Sequence, residues 1–341
     1  MIEDMNIMAV ARRARVSTAT VSRVINGTAF VAPETAERVR DAIEALNFYP
    51  DVNARTLGSG RSGMYGLIIS DITNPYFPEL VKAFEDIAVE HNQEVLIANT
   101  NYDPKRMETC VARMLQRKVD GVAIMTSEMG DHLVRSLSRR HIPMVFMDTS
   151  IGASGTSTVR VNYKAGVQAA MEHLFALGHK DIAFISGPLS LGSAYLRAQA
   201  FRQALEQHGM TGNAAWIQEG DHRVEGGHGA MQRILKVGRR RPTAVLTSND
   251  LTAIGAMGAI HEAGLRIPED ISIVGFDGIE LSAYTQPALT TLVVSRVELA
   301  SQAFRSLLRS KDDVPKKSQA KDSVIEPRLL VRKSTAPPRK A

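Results

Sequence analysis

Between residues 64 and about 309, short apolar runs alternate with longer stretches whose apolar residues recur at helical spacing. Such alternation predicts parallel sheets covered by helices on both faces. Nine strand candidates in two groups predict an α/β fold with two doubly wound lobes, since 341 residues exceed the usual size of one compact domain. The strand candidates are Tyr65–Ser70, Glu94–Ala98, Gly121–Met125, Met144–Met147, Thr158–Val161, Asp181–Ile185, Ala244–Thr247, Ser272–Val274 and Thr291–Val293, and the helical stretches include Phe77–His91, Lys105–Arg117, Leu196–His208 and Asp250–Ala263.

Two short helical patterns stand before this region. The first follows a candidate cap at Asn6, and the second follows Ser17 and places Val21, Val24 and Ile25 on one face. Small polar residues and one arginine begin the second pattern, which suits a helix that enters a DNA major groove. The alternative is an ordinary helical pair, because such patterns also arise by chance in globular chains.

Longer motifs decide between these alternatives. The segments "VSTATVSRVIN", "RVRDAIEALNFYP" and "NARTL", and later "GLIISDITNPYFPELV", "VDGVAIM", "LGHKDIAFISGP", "RPTAVLTSND" and "DISIVGFDG", stand in the order and spacing of one family. The chain strongly resembles the LacI/GalR family of bacterial transcription regulators, in its ribose- and purine-repressor branch. The resemblance implies an N-terminal all-α helix-turn-helix headpiece and a two-lobed core like that of periplasmic binding proteins. It also implies a cytoplasmic, ligand-controlled repressor of near-palindromic operator DNA.

The expected domains follow from these motifs. They are a headpiece over residues 1–50, a hinge helix and linker over 51–63, a core over 64–310, and a final strand with a basic tail over 311–341. The letters of Gly58 to Gly63 match G-x-G-x-x-G, but they precede a strand instead of following one, so we interpret them as a flexible linker. The resemblance places three crossovers between the lobes, near residues 149–157, 277–287 and 290–296.

The resemblance also assigns the DNA contacts. Thr18, Ala19 and Arg23 correspond to residues that read base edges, and Arg23 suits guanine. Leu57 corresponds to a leucine that wedges into the minor groove, and Ala54 allows two hinge helices to pack closely. The full predicted DNA-binding set is Ser17, Thr18, Ala19, Thr20, Ser22, Arg23, Asn26, Asn53, Ala54 and Leu57.

Polar residues at strand ends predict an effector site, because parallel sheets bind ligands beyond the carboxyl ends of their strands. Carboxylates, amides and aromatic faces together suit a small polyhydroxylated ligand. Each residue also has a structural alternative as a helix cap or turn residue. The predicted effector-binding set is Asp71, Asn74, Tyr76, Phe77, Asp148, Arg197, His222, Asn249 and Asp277.

The chain departs from the family pattern at three places. Two of them limit how far the ligand can be identified, and the third lies in the headpiece turn. Val293-Val294 replace the glutamine of ribose-type relatives, and Thr149 replaces the tryptophan of purine-type relatives. We therefore expect a pentose, hexose or sugar acid, with Arg197 binding an anionic ligand through two bonds. In the turn between the first two helices, Arg15 stands where a glycine is usual, at a cost of roughly 1 kcal/mol.

Composition further limits the classes of protein to which the chain can belong. The net charge of +5 resides in the tail, since residues 305–341 hold eleven basic and four acidic residues, and we expect this tail to be solvated and partly disordered. The single cysteine, Cys110, excludes an internal disulfide framework, and no apolar run approaches membrane-spanning length. The tail lacks a heptad pattern, so we expect a homodimer without a tetramerising coiled coil.

Two other classes of protein would share the two-lobed core. A solute-binding protein would have no use for residues 1–57, and a sugar-modifying enzyme would need an acid/base pair beside a water or nucleophile site. We find no G-x-S-x-G elbow, metal-ligand cluster or phosphate loop, and we therefore expect no catalytic residue, no metal and no cofactor.

Overall fold

The computed structural model describes residues 6–27, 29–49, 61–148, 156–210, 212–238, 240–312 and 322–339. Its contacts divide the chain into two units, one formed by residues 1–64 with 117–120 and the other by the remaining residues. Three predicted DNA-contacting residues, Asn53, Ala54 and Leu57, lie outside the described residues, as does Thr149.

The N-terminal unit contains three helices, α1 (Ile7–Ala14), α2 (Thr18–Asn26) and α3 (Pro33–Ala45). The two predicted caps are confirmed. The Asn6 side chain accepts hydrogen bonds from the Met8 and Ala9 amides, and the Ser17 hydroxyl accepts one from the Thr20 amide at 3.1 Å. A small core holds the three helices together and comprises Val10, Ala11, Ala14, Val21, Val39 and Ala42.

The larger unit has two lobes, each built on a six-stranded sheet. The sheet of lobe 1 has the order β11-β5-β4-β3-β1-β2, and that of lobe 2 has the order β12-β10-β9-β8-β6-β7. The strands are β1 (Met64–Ile69), β2 (Glu94–Asn99), β3 (Val122–Met125), β4 (Met144–Met147), β5 (Ser157–Val161), β6 (Ile182–Ser186), β7 (Ile217–Glu219), β8 (Ala244–Thr247), β9 (Ser272–Asp277), β10 (Thr290–Val293), β11 (Asp322–Ile325) and β12 (Arg328–Leu330).

Helices cover the sheets, as the alternation predicts. They are α4 (Tyr76–Glu90), α5 (Pro104–Gln116), α6 (Asp131–Ser138), α7 (Tyr163–Ala176), α8 (Gly192–Gln207), α9 (Val224–Leu235), α10 (Asp250–Glu262) and α11 (Arg296–Asp312), with 3-10 turns at Ala214–Trp216 and Glu280–Ala283. Strand β1 pairs in parallel with β3, β4 with β3 and β5, and β11 with β5, and the pairings among β6 to β10 are also parallel, whereas β12 runs antiparallel to β10. Most β strands are buried on both faces, which explains their continuous apolar sequences.

Two of the three predicted crossovers are wrong. Strand β5 pairs with β4, so residues 157–161 belong to lobe 1 and the chain crosses between β5 and α7. Residues 277–287 connect β9 to β10 within one sheet and make no crossing. The crossing predicted at 290–296 is confirmed, since β10 belongs to lobe 2 and α11 packs on α4 of lobe 1. The third crossing lies between β11 and β12.

The described part of the basic tail also differs from the prediction. Strand β11 joins the lobe 1 sheet and β12 joins the lobe 2 sheet, so this segment ties the lobes together. Ile325 and Ser334 are fully buried, and the Ser334 hydroxyl donates to the Ile273 carbonyl at 2.6 Å. Most residues of the two strands are exposed or half-buried, and composition alone therefore suggests a more solvated tail than the structure contains.

Candidate functional sites

Helix α2 carries the first candidate site. Thr18, Ala19 and Arg23 are exposed, whereas Val21 faces the core. Thr20 and Ser22 are half-buried beside this surface, and the description of Asn26 is limited to its backbone. The exposed surface of α2 therefore presents a hydroxyl, a methyl group and a guanidinium to solvent.

The turn before α2 contains the residue that departs from the family pattern. Arg15 ends α1 in the left-handed conformation, with φ 55° and ψ 48°, which glycine adopts at no steric cost. We expect Arg15→Gly to raise the free energy of unfolding of the headpiece by about 0.5–1 kcal/mol. Urea denaturation of the two proteins measures this difference. The exposed substitution Arg13→Gly is the control and should destabilise, because it places glycine inside α1.

The second candidate site is a cavity of about 340 Å³ between the two lobes. Its walls come from the carboxyl ends of strands in both sheets and from the first turns of α4, α7 and α8. Eight of the nine predicted effector residues line it: Asn74, Tyr76, Phe77, Asp148, Arg197, His222, Asn249 and Asp277.

Arg197 is the main cation of the cavity and is almost fully buried. Its guanidinium lies between the rings of Tyr163 and Phe276, at 4.4 and 4.5 Å from their centroids. One guanidinium nitrogen donates to the carbonyl and hydroxyl of Ser248. These contacts hold the guanidinium in one position at the centre of the cavity wall.

Two carboxyl groups face this cation. Burial raises the pKa of Asp148 to about 6, although Arg197 and a hydrogen bond from the Tyr163 hydroxyl oppose the change. Burial also raises the pKa of Asp277 to about 7, against the opposing charges of Arg197 and Arg296. No described residue donates a hydrogen bond to the Asp277 carboxyl, which is therefore an open acceptor in the cavity wall.

Histidine 222 and Asn249 have structural partners within lobe 2. Burial, with Arg197 nearby, lowers the pKa of His222 to about 3, so its ring is neutral and its Nε2 lies 2.9 Å from the Ser248 hydroxyl. The Asn249 side chain caps α10 by accepting from the Thr252 amide, and it donates to the His222 carbonyl. Asn74 likewise accepts from the Tyr76 amide. These three residues both shape the wall and stabilise the local backbone.

Asp71 is the exception among the predicted effector residues, since it does not line the cavity. One of its oxygens accepts from the amide and hydroxyl of Thr73, and the other accepts from Arg223 in the opposite lobe at 3.2 Å. The turn after β1 aims this carboxylate across the cleft and away from the cavity. Its position at a strand end resembles that of the lining residues, and the sequence pattern does not separate them.

Several lining residues were missed from the sequence. Tyr163 begins α7 and looks like a core residue, and Tyr102 lies in a turn where both Asn101 and Tyr102 have positive φ. Burial and nearby carboxyl groups raise the pKa of Tyr102 to about 12. The usable signal for this turn is Asn101, because asparagine is enriched at positive φ. The other unpredicted lining residues include Met125, Thr126, Arg160, Ser190, Leu191, Ser193 and Leu196.

Comparisons with known proteins match both parts of the chain. Residues 6–51 match the model for bacterial regulatory proteins of the lacI family, and residues 171–335 match the model for the periplasmic binding protein-like domain. The chain is 37% identical over 330 residues to the HTH-type transcriptional repressor PurR of Edwardsiella ictaluri, covering 96% of each chain. It is 39% identical over 329 residues to the repressor of the same name from Proteus mirabilis, again covering 96% of each.

The chain belongs to the LacI family. Among solved structures, a lac repressor dimer bound to operator and the anti-inducer ONPF is similar at a TM-score of 0.84 and 30% identity, over 96% of this chain and 98% of that one. A LacI-family regulator from Enterococcus faecium with bound ribose has a TM-score of 0.72 and 28% identity, over 80% and 99%. This LacI-family chain is a DNA-binding transcriptional repressor of the purine and ribose branch, and its relatives are repressors and not enzymes.

The described residues contain neither a membrane-spanning helix nor a metal-binding group. Among them, no helix is both long and apolar enough to cross a bilayer. The same residues contain no group of three or more histidine, cysteine and acidic side chains arranged to hold a metal ion.

Proposed function

We propose that this repressor is controlled by a small, uncharged, polyhydroxylated effector, a sugar or sugar derivative, bound in the cavity between the lobes. The observation that carries the proposal is the set formed by the half-buried Asp148 and the buried Arg197 and Asp277 in the wall of that cavity. Carboxyl oxygens accept from ligand hydroxyls and the guanidinium donates to them, while the rings of Tyr76 and Phe77 offer apolar faces.

The charges in the wall favour a neutral ligand over the sugar acid that the sequence also allows. Two carboxyl groups face one guanidinium, and a guanidinium nitrogen of Arg197 already donates to Ser248. An anionic ligand would therefore meet repulsion as well as attraction. The cavity volume equals that of about eleven liquid waters, which suits a monosaccharide or a somewhat larger molecule.

A thermal-shift screen tests this proposal. Purified protein is heated with pentoses, hexoses, sugar acids, sugar phosphates and purines, because a ligand that binds the folded state raises the melting temperature. We expect a neutral sugar to raise it. A purine as the only hit would contradict the sugar assignment, and silence across all classes would contradict the cavity as a sensor.

We also propose that two copies of the chain bind a near-palindromic operator through α2, with half-sites about one helical turn apart. In this arrangement Thr18, Ala19 and Arg23 read bases, and Ser17, Thr20, Ser22 and Asn26 hold phosphates. The same proposal includes the minor-groove role of Leu57 and the domain boundaries at residues 50, 63 and 310. By linkage, the effector and the operator must change each other's affinity by the same factor.

Arg23→Ala should lower affinity for the preferred operator by about tenfold to a hundredfold and leave non-specific binding nearly unchanged. Selection from random DNA first gives the wild-type operator, and fluorescence anisotropy then measures binding to it and to scrambled DNA. The exposed Arg38, on α3, provides a matched loss of charge. Equal losses on both DNAs would contradict a base-reading role for Arg23.

A further inference from the structure

Asp71 and Arg223 lie in different lobes and form an ion pair across the cleft. The Arg223 guanidinium nitrogen lies 3.2 Å from an Asp71 oxygen, and the two residues are 152 positions apart in the chain. Neither lines the cavity, but each adjoins a residue that does, Ser70 in lobe 1 and His222 in lobe 2. The pair therefore closes the seam between the lobes directly beside the cavity wall.

The Asp71 side chain is held in place before it meets Arg223. The hydroxyl and amide of Thr73 occupy one Asp71 oxygen and leave the other directed at Arg223. Burial acts to raise the pKa of Asp71, but the Thr73 hydrogen bonds and the Arg223 charge outweigh burial and hold the pKa below its usual value. Asp71 is therefore an ionised, preoriented acceptor at neutral pH.

Arg223 is positioned by the packing of helix α9, which begins at the next residue. Helices α9 and α10 meet backbone to backbone, and a Cβ at Gly227 would lie 2.2 Å from the Thr252 carbonyl oxygen. A Cβ at Gly255 would lie 1.9 Å from the Val224 carbonyl oxygen. Because neither glycine leaves room for movement, α9 carries Arg223 as a rigid part of lobe 2.

A second contact between the lobes differs in kind. Arg296 follows the crossover after β10 and donates to the carbonyls of Asp277 and Gly278 and to the Glu79 carboxylate. The Glu79 carboxylate also accepts from the Glu280 amide. This cluster lies where the chain itself joins the lobes, so it acts as a pivot. The Asp71–Arg223 pair has no covalent connection beside it and would break when the lobes separate.

We infer that Asp71 and Arg223 form a latch that holds the lobes closed over the effector cavity and sets how readily the bound effector is released. This inference rests on the proposed function for its consequence, but the latch itself can be measured without any effector. A pair with one half-exposed partner should change the ratio of closed to open molecules by about threefold to tenfold.

The experiment measures the distance between the lobes by pulsed electron paramagnetic resonance. Spin labels are attached to cysteines introduced at the exposed Lys105 of lobe 1 and Gln203 of lobe 2, in a Cys110→Ser background, and labelled chains are diluted with unlabelled ones. The proteins compared are the parent, Asp71→Asn, Arg223→Gln and the double variant. Arg233→Gln is the matched control, because Arg233 lies on the same helix and bonds only within lobe 2, to Gln218 and Glu219.

We expect both single variants to increase the open population equally, the double variant to add nothing further, and Arg233→Gln to match the parent. High salt should open the parent and leave the variants unchanged. Identical distances in all proteins, or equal opening by Arg233→Gln, would overturn the latch. D-Ribose is then added to each protein, and faster release from the variants is expected. If D-ribose and the other sugars fail to bind the parent, the proposed effector class fails while the distances still decide the latch.

Discussion

Arg197→Met should abolish the response to the effector and lower the free energy of unfolding by about 3–5 kcal/mol at pH 8. The guanidinium is the buried cation that faces both Asp148 and Asp277, and it is also packed between two aromatic rings. Its removal leaves Asp148 without its opposing charge, Asp277 with only that of Arg296, and the Ser248 carbonyl without its donor. Because methionine keeps the apolar volume of the arginine side chain, the decrease in the free energy of unfolding measures the lost charge and hydrogen bonds.

A thermal-shift titration with the screened effector measures the loss of response, and chemical denaturation measures the loss of stability. Arg202→Met is the matched control, since Arg202 lies on the same helix and is exposed. The loss of stability should shrink at pH 5, where the two carboxyl groups bind protons and no longer need the cation. An Arg197→Met protein with parental stability and an intact effector response would move the binding site elsewhere.

Asp277→Asn should become more stable relative to the parent as the pH rises from about 4 to about 8, by roughly 3–4 kcal/mol. The pKa of Asp277 is about 7 in the folded protein against 3.8 for an unperturbed aspartate. Between these values the folded state retains a proton that the unfolded state has released. The contribution of Asp277 to stability is therefore fully present below pH 4 and is lost as the pH rises through 7.

His222 gives stability a pH dependence opposite to that of Asp277. Because both proteins contain His222, its effect cancels when the variant is compared with the parent. The pKa of His222 is lowered to about 3, so burial of its neutral ring opposes folding at acid pH in both proteins. Urea unfolding at a series of pH values gives the difference curve. The exposed Asp131→Asn serves as the control for loss of a carboxylate outside the cavity. A flat curve for Asp277→Asn would show that its carboxyl is solvated and is not buried in the cavity wall.

The elements of the fold could be predicted from sequence to a large extent. All nine strand candidates exist, because buried parallel strands require continuous apolar runs that stand out between amphipathic helices. Three further strands are short, and the sequence indicated only one of them, as a final strand within residues 311–341. Strand β7 has three residues, and β11 and β12 lie in a charged tail where burial alternates with exposure. Two crossovers were misplaced, since a local pattern does not say which sheet a strand joins.

The sequence predicted only some of the residues that line the candidate effector cavity. Residues at strand ends, such as Asp148 and Asp277, follow from the general position of ligand sites in parallel sheets. Tyr163 and Tyr102 enter the same cavity from the beginning of a helix and from a strained turn, where no such rule applies. Asp71 obeys the strand-end rule but points outside the cavity, because the hydrogen bonds of Thr73 orient its carboxylate.

By itself, the sequence determined the helix-turn-helix headpiece with its two caps, the α/β class of the core and membership in the LacI family. These features depend on local spacing, on capping residues and on ordered motifs, all of which are written along the chain. Only the tertiary structure decided that Arg197 stacks between Tyr163 and Phe276, that the tail joins both sheets, and that Asp71 meets Arg223 across the cleft. Those contacts join residues far apart in sequence, and their geometry depends on how the two lobes pack.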